Sequence, residues 1–500
     1  MYDRRRFLKS LGALGAAVAL PRVSSYPFTL GVASGYPTPA SVVLWTRLTG
    51  LVEPVTVRWE IAGDEAMRSI VRSGEMVAHP DWAHSLHIEA HGLDPARWYW
   101  YRFRAGDAES PIGRTRTAPR ADSLPERLRF AFASCQQFEQ GFFNAYRHIV
   151  RDEPDLVAFL GDYIYESSWG RDLVRTHGSA EPYTLEDYRA RHALYKSDPD
   201  LQAAHAAVPW IVTWDDQEVD NDYADDRPED GMARPEFLAR RAAAYRAYFE
   251  HMPLPPSMQP DGPNMRIYTH LDWGALARFY LLDDRQYRSW HACPRRGRRG
   301  GSNTVDIAAC TRIGSPGRSI LGRAQERWLE RRLIESRAGW NVIAQQTRMA
   351  QFDELPGAGR RAWTDSWDGY PAARQRLLDY IHARKIANPI VIGGDIHSFN
   401  VNQLKLDFDD PASPIVASEF VGTSITSQAW PQERIDQYLP DNPHVLLADT
   451  RHRGYVRVEL TRSRWVADLR AMQSVQIADA PCTTLASFVV EGGKAGPVRA

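Results

Sequence analysis

Four apolar runs that each end in metal-binding side chains constrain this chain more than any other feature. Arg129-Phe-Ala-Phe-Ala-Ser-Cys135-Gln ends in a thiol. Phe159-Leu-Gly-Asp162-Tyr-Ile-Tyr165-Glu ends in a carboxylate and a phenol. Trp210-Ile-Val-Thr-Trp-Asp215-Asp216-Gln217-Glu218 ends in carboxylates, and Pro389-Ile-Val-Ile-Gly-Gly-Asp395-Ile-His397 ends in Asp and His. Runs of this length and composition read as buried strands. In open α/β sheets, sites form beyond the carboxyl ends of the strands. The four ends therefore predict one polynuclear metal site suited to hydrolysis.

At 500 residues the chain exceeds one ordinary core, which favours two domains or one large elaborated one. Phe28 to Pro119 reads as all-β: Ser41-Val-Val-Leu-Trp-Thr, Val55-Thr-Val-Arg-Trp-Glu-Ile and Trp98-Tyr-Trp-Tyr-Arg-Phe-Arg alternate or are rich in β-branched and aromatic residues. Leu93-Asp-Pro-Ala-Arg-Trp-Tyr-Trp-Tyr resembles the corner of a fibronectin-type sandwich. This β-sandwich domain (28–118) carries no evident chemistry and is expected to be a docking or packing module. Ala118–Pro125 reads as a linker. From Leu128 strands alternate with helical stretches at Thr184–Tyr195, Pro235–His251, Leu321–Ala338 and Pro371–Lys385. That alternation predicts an α/β domain of layered sheets flanked by helices over 128–465. Residues 466–500 are expected to pack on it as a C-terminal extension.

The N-terminus reads as an export signal over residues 1–25. Asp3-Arg4-Arg5-Arg6-Phe7-Leu8-Lys9 is a twin-arginine pattern, Leu11–Leu20 is a short apolar run, and Ala17-Val18-Ala19 offers small residues for cleavage. That route carries folded proteins, which suits a chain that loads metals before export. The apolar run is too short to span a bilayer comfortably. The expectation is a protein outside the cytoplasm without stable membrane insertion. A formal net charge of −1 argues against nucleic acid as a partner. Of four cysteines, Cys293 and Cys310 flank an Arg/Gly-rich loop and are expected to pair in an oxidising compartment. Cys482 is expected to be inert. Cys135 stands at a strand end beside other candidate ligands. Arg295-Arg-Gly-Arg-Arg-Gly-Gly reads as a solvated loop, with anion steering as its functional alternative.

The residue types suit a mixed centre. Thiolate, phenolate and imidazole favour a transition metal such as iron, while carboxylates and an amide favour a hard cation such as calcium. Asp162 could bridge both through its two oxygens; the structural alternative is a cap on the following turn.

These motifs together resemble the alkaline phosphatase D (PhoD-type) family of metallophosphoesterases. The resemblance runs along nearly the whole chain: the twin-arginine segment, the β domain, Ser134-Cys135-Gln, Gly161-Asp162-Tyr-Ile-Tyr165-Glu, Trp214-Asp215-Asp216-Gln217-Glu218-Val-Asp-Asn221, Asp284-Arg285-Gln286-Tyr287-Arg288, Trp367-Asp-Gly-Tyr-Pro and Gly394-Asp395-Ile-His397-Ser. It implies a metallophosphatase-type catalytic domain holding Fe3+ and Ca2+. Cys135, Asp162 and Tyr165 match the iron positions, with Asp162 as bridge. Asp216 and Asn221 fall at second-metal positions, and Asp395 and His397 match the last ligand motif. Arg285 takes the place of a phosphate clamp, since a guanidinium holds phosphate oxygens with two prongs; a structural salt bridge is its other reading.

The implied activity is hydrolysis of phosphate monoesters by metal-activated water outside the cytoplasm, for phosphate scavenging. Phospholipase D-like diester cleavage at the same site is the nearest rival. The partners implied are phosphate ester substrates and the twin-arginine translocase, and the expected state is a monomer. One motif departs from the family pattern: Gln217 stands where a His is usual, beside the substrate, and Gln can donate a hydrogen bond but cannot serve as an acid. Segments 166–182, 225–234 and 294–317 are candidate lids. Two further readings stay open on the residues alone: a binding protein built around the β module, and a hydrolase with Cys135 as nucleophile partnered by His148 or His397.

Overall fold

The computed structural model describes residues 25–500, so all of the expected export segment except Ser25 lies outside the described residues. Two large β-sheets stack face to face. The first has ten strands and the second seven. At the centre of the first, Arg127–Ala133, Leu156–Leu160 and Trp210–Thr213 run parallel, as their nearly unbroken apolar character requires of strands covered on both faces. Arg453–Thr461, Arg464–Met472, Cys482–Glu491 and Val498–Arg499 extend it antiparallel on one side. The second sheet has Ala277–Leu281, Trp340–Ala344, Pro389–Gly393 and Ile415–Val421 parallel at its centre.

Aromatic side chains fill the space between the sheets. Phe130 meets Phe279 edge-on at 5.2 Å, and Phe420 stacks on Trp465 at 5.8 Å. These contacts interlock the two inner faces. Helices Leu185–Lys196, Pro199–Ala207 and Arg234–His251 cover the outside of the first sheet, burying Tyr188, Tyr195, Leu201 and Tyr248. Helices Gly322–Glu335 and Pro371–Ala383 cover the second with Leu329, Leu333, Leu377 and Ile381. Helix Leu185–Lys196 starts at a capping box in which Thr184 and Asp187 satisfy each other's backbone N–H groups.

The N-terminal domain is β-rich, and the rest is mixed α/β with layered sheets. Five strands of the N-terminal domain form their own sheet. Val32–Gly35, Ser41–Arg47 and Ser85–His91 form the facing layer, with Val42, Leu44, Ile88, Ile61 and Tyr101 between the two. That facing layer is continuous with the ten-stranded sheet, because Gly35 pairs in parallel with Trp210. The module therefore shares hydrogen bonds with the ten-stranded sheet as well as packing on it. Trp45 Nε1 donates to the Glu250 carbonyl across the same junction at 3.1 Å. Cys293 and Cys310 are joined by a disulfide at the base of the Arg-rich loop.

Candidate metal centre

The carboxyl ends of the four sequence-defined strands meet at one edge of the stacked sheets. Each chain turns sharply there. Cys135, Asp162, Asp395 and His397 all have left-handed backbones, with φ of 60°, 58°, 65° and 52°. Non-glycine residues rarely adopt this region, and each such residue costs about 1–3 kcal/mol. Four of them in one place mark a site where side-chain direction outweighs backbone comfort. Gly161, at φ 101°, permits the turn before Asp162, because any Cβ there would collide with Asp215. Glu218 secures the turn from beneath: its buried carboxylate accepts from the backbone N–H groups of Asp162, Tyr163 and Asp215 at 3.1, 2.7 and 2.9 Å.

Two donor groups result, sharing Asp162. In the first, ligand atoms of Cys135, Asp162 and His397 lie within 4.8 Å of one another. The Tyr165 hydroxyl sits among them, 2.7 Å from Asp162 Oδ2 and 3.0 Å from His397 Nε2, and accepts from Ser427 Oγ at 2.8 Å. In the second, oxygens of Asp162, Asp215 and Asp216 lie within the same limit. One buried oxygen of each, Asp162 Oδ1, Asp215 Oδ2 and Asp216 Oδ1, has no hydrogen-bond partner. Buried acceptors without partners are costly. Three carboxylates brought this close, each with a buried unpartnered oxygen, fit a cation, so the donor set suits a metal at this place.

The electrostatics agree. Burial, then the Asp216 and Asp215 charges, pushes the Asp162 carboxyl well above the usual carboxylate range. Burial and Asp162 likewise raise the Cys135 thiol. His397 Nδ1 donates to the Gln428 carbonyl at 2.7 Å, which leaves Nε2 with its lone pair toward the cluster. Burial and the nearby Arg453 lower its pKa to about 3, so the ring is neutral, as a ligand must be. Trp169, in the 166–182 segment, lies parallel on His397 at 5.8 Å and is partly exposed.

The other expected site residues fall nearby in different settings. Arg285 is fully buried: Nε pairs with Asp215, Nη1 with Asp365 at 2.7 Å, and Nη2 lies 3.6 Å from Asp216 and 3.5 Å from Asp395. Its side chain is thus engaged by buried carboxylates distant in sequence, the arrangement that the salt-bridge reading describes. Asp395 accepts from Thr347 Oγ1 at 2.6 Å and reaches the cluster through Arg285. Asn221 is turned aside, its Oδ1 accepting from Gln217 Nε2 at 2.7 Å and its Nδ2 donating to Glu229 at 2.6 Å. Gln217 Oε1 is buried without a partner. His148 Nε2 donates to the Ala480 carbonyl at 3.2 Å, and His148 is not among the residues gathered with Cys135.

Residues 130–469 match the family described as PhoD-like phosphatase. The chain belongs to that family. Residues 15–119 match the N-terminal domain of PhoD-like phosphatases, and residues 1–21 match the twin-arginine translocation signal. The chain is 45% identical to alkaline phosphatase D of Bacillus subtilis (strain 168), over 99% of this chain and 88% of that protein. A solved structure of PhoD aligns with a TM-score of 0.90 at 46% identity, covering 96% of this chain and 93% of that one. A purple acid phosphatase from yellow lupin, 12% identical, aligns over 93% of this chain and 74% of its own with a TM-score of 0.59, which shows a shared fold. This PhoD-like chain is a hydrolase of the alkaline phosphatase D type, exported by the twin-arginine pathway to the periplasm or beyond. It is a phosphoesterase whose candidate metal clusters suit metal-activated hydrolysis.

Proposed function

We propose that the chain hydrolyses phosphate monoesters at a centre holding Fe3+ and Ca2+, with phosphodiesters as the second class of substrate. One observation carries this reading: the two donor groups differ in chemistry and share Asp162. Cys135, Tyr165 and His397 offer S, phenolic O and N, a set that suits iron. Asp215 and Asp216 offer oxygen alone, which suits calcium. When bound, such ions lower the pKa of a water to about 7 and neutralise charge on phosphoryl oxygens.

The chain's own groups do the rest. Gln428 fixes the tautomer of His397, and Ser427 orients the Tyr165 hydroxyl. Glu218 holds Asp162 and Asp215 in register. Arg285 remains in this reading as the cation nearest the substrate phosphate, through Nη2 alone. Its Nε and Nη1 are committed to Asp215 and Asp365, so the two-pronged hold is not available. Asp395 and Asn221 complete the proposed ligand set, Asn221 by releasing Gln217. A nucleophilic Cys135 is disfavoured, since reactive thiols sit in electropositive surroundings and this one faces Asp162, Asp395 and Asp215.

The test compares a matched aryl phosphate monoester and diester, with and without chelator, on protein carrying its native metals. The expected result is chelator-sensitive cleavage of both with the monoester faster, and a visible absorbance from Tyr165 bound to ferric iron. A diester rate above the monoester rate would reverse the order of substrates. A colourless, iron-free, fully active preparation would sink the iron assignment.

Gln217 marks a further expectation. Gln217→His restores a proton donor, so activity on poor leaving groups is expected to hold or to rise, by up to about ten-fold, within the range of general acid catalysis. Steady-state rates on an alkyl and an aryl phosphate check it. A collapse to the level of a ligand substitution would show that Gln217 does not serve the leaving group.

A further inference from the structure

A second cluster of cations stands outside the metal centre. Arg227, Arg288, Trp290, His291, Arg312 and Arg318 line an open cavity of about 510 Å³. The Arg-rich loop begins beside it at Pro294, which also lines the cavity, and the Cys293–Cys310 disulfide ties that loop down. Among the described residues no salt bridge joins a carboxylate to Arg227, Arg312 or Arg318, and the one carboxylate whose charge acts on Arg227, Asp226, is itself paired with Arg234. Arg227 sits over the Trp290 ring, its guanidinium carbon 3.5 Å from the ring centroid, and donates to the Arg299 carbonyl. Arg318 is held by the Trp290 and Gly369 carbonyls at 2.8 and 3.3 Å. Both guanidinium groups are thereby held in place without a salt bridge to a carboxylate. Burial lowers the pKa of Arg318, with a smaller contribution in the same direction from the Arg312 charge. The acidic lining residue, Asp225, lies 3.8 Å from Arg241, so part of its charge is already answered.

We propose that this cavity is a second anion site, built for a phosphate group. Rigid, unpaired guanidinium groups around a pocket of this size match tetrahedral oxyanions, which arginine holds through several charge-assisted bonds. One carboxylate, Asp365, links two of the lining residues to Arg285. Arg288 and His291, both lining the cavity, bind Asp365 Oδ1 at 2.7 and 2.8 Å, while Arg285 binds Asp365 Oδ2 at 2.7 Å. A phosphate in the cavity therefore sits one shared carboxylate away from the arginine of the reaction site. The same chemistry has two sources: free inorganic phosphate, the product of the reaction, or a second phosphoryl group carried by the substrate. The inference does not depend on which ester the metal centre cleaves.

The test uses metal-loaded wild-type protein and the variant Arg227→Ala/Arg312→Ala, both changes lying outside the metal centre. Equilibrium dialysis with radiolabelled inorganic phosphate counts sites per chain. In parallel, kcat/KM is measured for an ester with one phosphate and for a matched ester bearing a second, remote phosphate. If free phosphate is the ligand, the variant binds one phosphate fewer and keeps its rate on the single-phosphate ester within about twofold. If the substrate carries the ligand, the variant loses about ten-fold in kcat/KM on the two-phosphate ester alone, as expected for lost charge-assisted contacts. Equal phosphate counts together with unchanged rates on both esters would overturn the site. So would a parallel loss on both esters, which would assign these arginines to the metal centre itself. Arg312→Glu, on an exposed side chain, repeats the test by charge reversal should the double variant fold poorly.

Discussion

Asp162→Asn is expected to lower kcat by about 10³-fold or more and, in metal-stripped protein, to raise thermal stability. Asp162 belongs to both donor groups, so its carboxylate is the one side chain whose loss weakens both sites at once. Preorganised charge at a reaction centre is typically worth about 10²–10³ in rate for each donor removed. The opposite sign in stability follows from its surroundings. Without metal, Asp162 is a buried carboxylate facing Asp216, Asp215, Glu218 and Asp395, and burial and those charges all oppose its ionisation. An amide removes the repulsion and keeps an acceptor for the Tyr165 hydroxyl.

Asn is also the substitution that isolates this effect. It tolerates the left-handed backbone at φ 58°, whereas Ala would add strain. The measurement pairs steady-state kinetics and metal content with melting curves taken with and without chelator. Lower activity with a higher melting temperature under chelator is the expected pair. A variant that retains metals and rate would remove Asp162 from the centre; one that melts lower under chelator would make it a structural cap, the other role its sequence position allows.

The centre was legible at the strand ends because chemistry and geometry coincide there over a few residues. A buried strand, then a tight turn, then a ligand is a local pattern, and Gly161-Asp162 and Gly394-Asp395 display it. The helices at 185–196, 234–251, 322–335 and 371–383 follow from local periodicity and begin and end within three residues of the sequence expectation. Non-local pairing left no such trace. Nothing around Gly35 announces a partner at Trp210, yet that pair joins the N-terminal layer to the catalytic sheet. Asp365 sits two residues before Trp367-Asp-Gly-Tyr-Pro, close to a recognisable motif, but its bond to Arg285 spans 80 residues. Gln428, which fixes His397 from 31 residues away, lies in a stretch without any signal. Asp216 was expected among the ligands, while Asp215 beside it carried no cue that it would join the same donor group.

Arg285 is where the two kinds of information meet, and its removal is expected to be the most destabilising single change at the site. The side chain is fully buried and engages Asp215, Asp216, Asp365 and Asp395. Deleting one partner of a buried ion pair typically costs about 3–5 kcal/mol, because the other charge is left uncompensated. Arg285→Ala strands Asp215 outright, while Asp365 keeps Arg288 and His291. Burial opposes the Asp365 carboxylate, and Arg285, Arg288 and His291 together hold it well below the usual carboxylate range, so two of its three supports survive. The damage therefore concentrates on the carboxylates of the candidate centre. Bound cations bring their own positive charge to that side, so the loss in melting temperature should be smaller in metal-loaded protein than under chelator. Arg285→Lys is expected to fold, since it keeps a charge, but a point charge cannot reach Asp215 and Asp365 at once. Its rate should fall by about 10²-fold, in line with the loss of one preorganised donor. Equal destabilisation by Ala with and without metal would mean that Arg285 and the metals do not share the same carboxylates. A melting curve for Arg285→Ala like that of the wild type would leave only the role at the substrate phosphate.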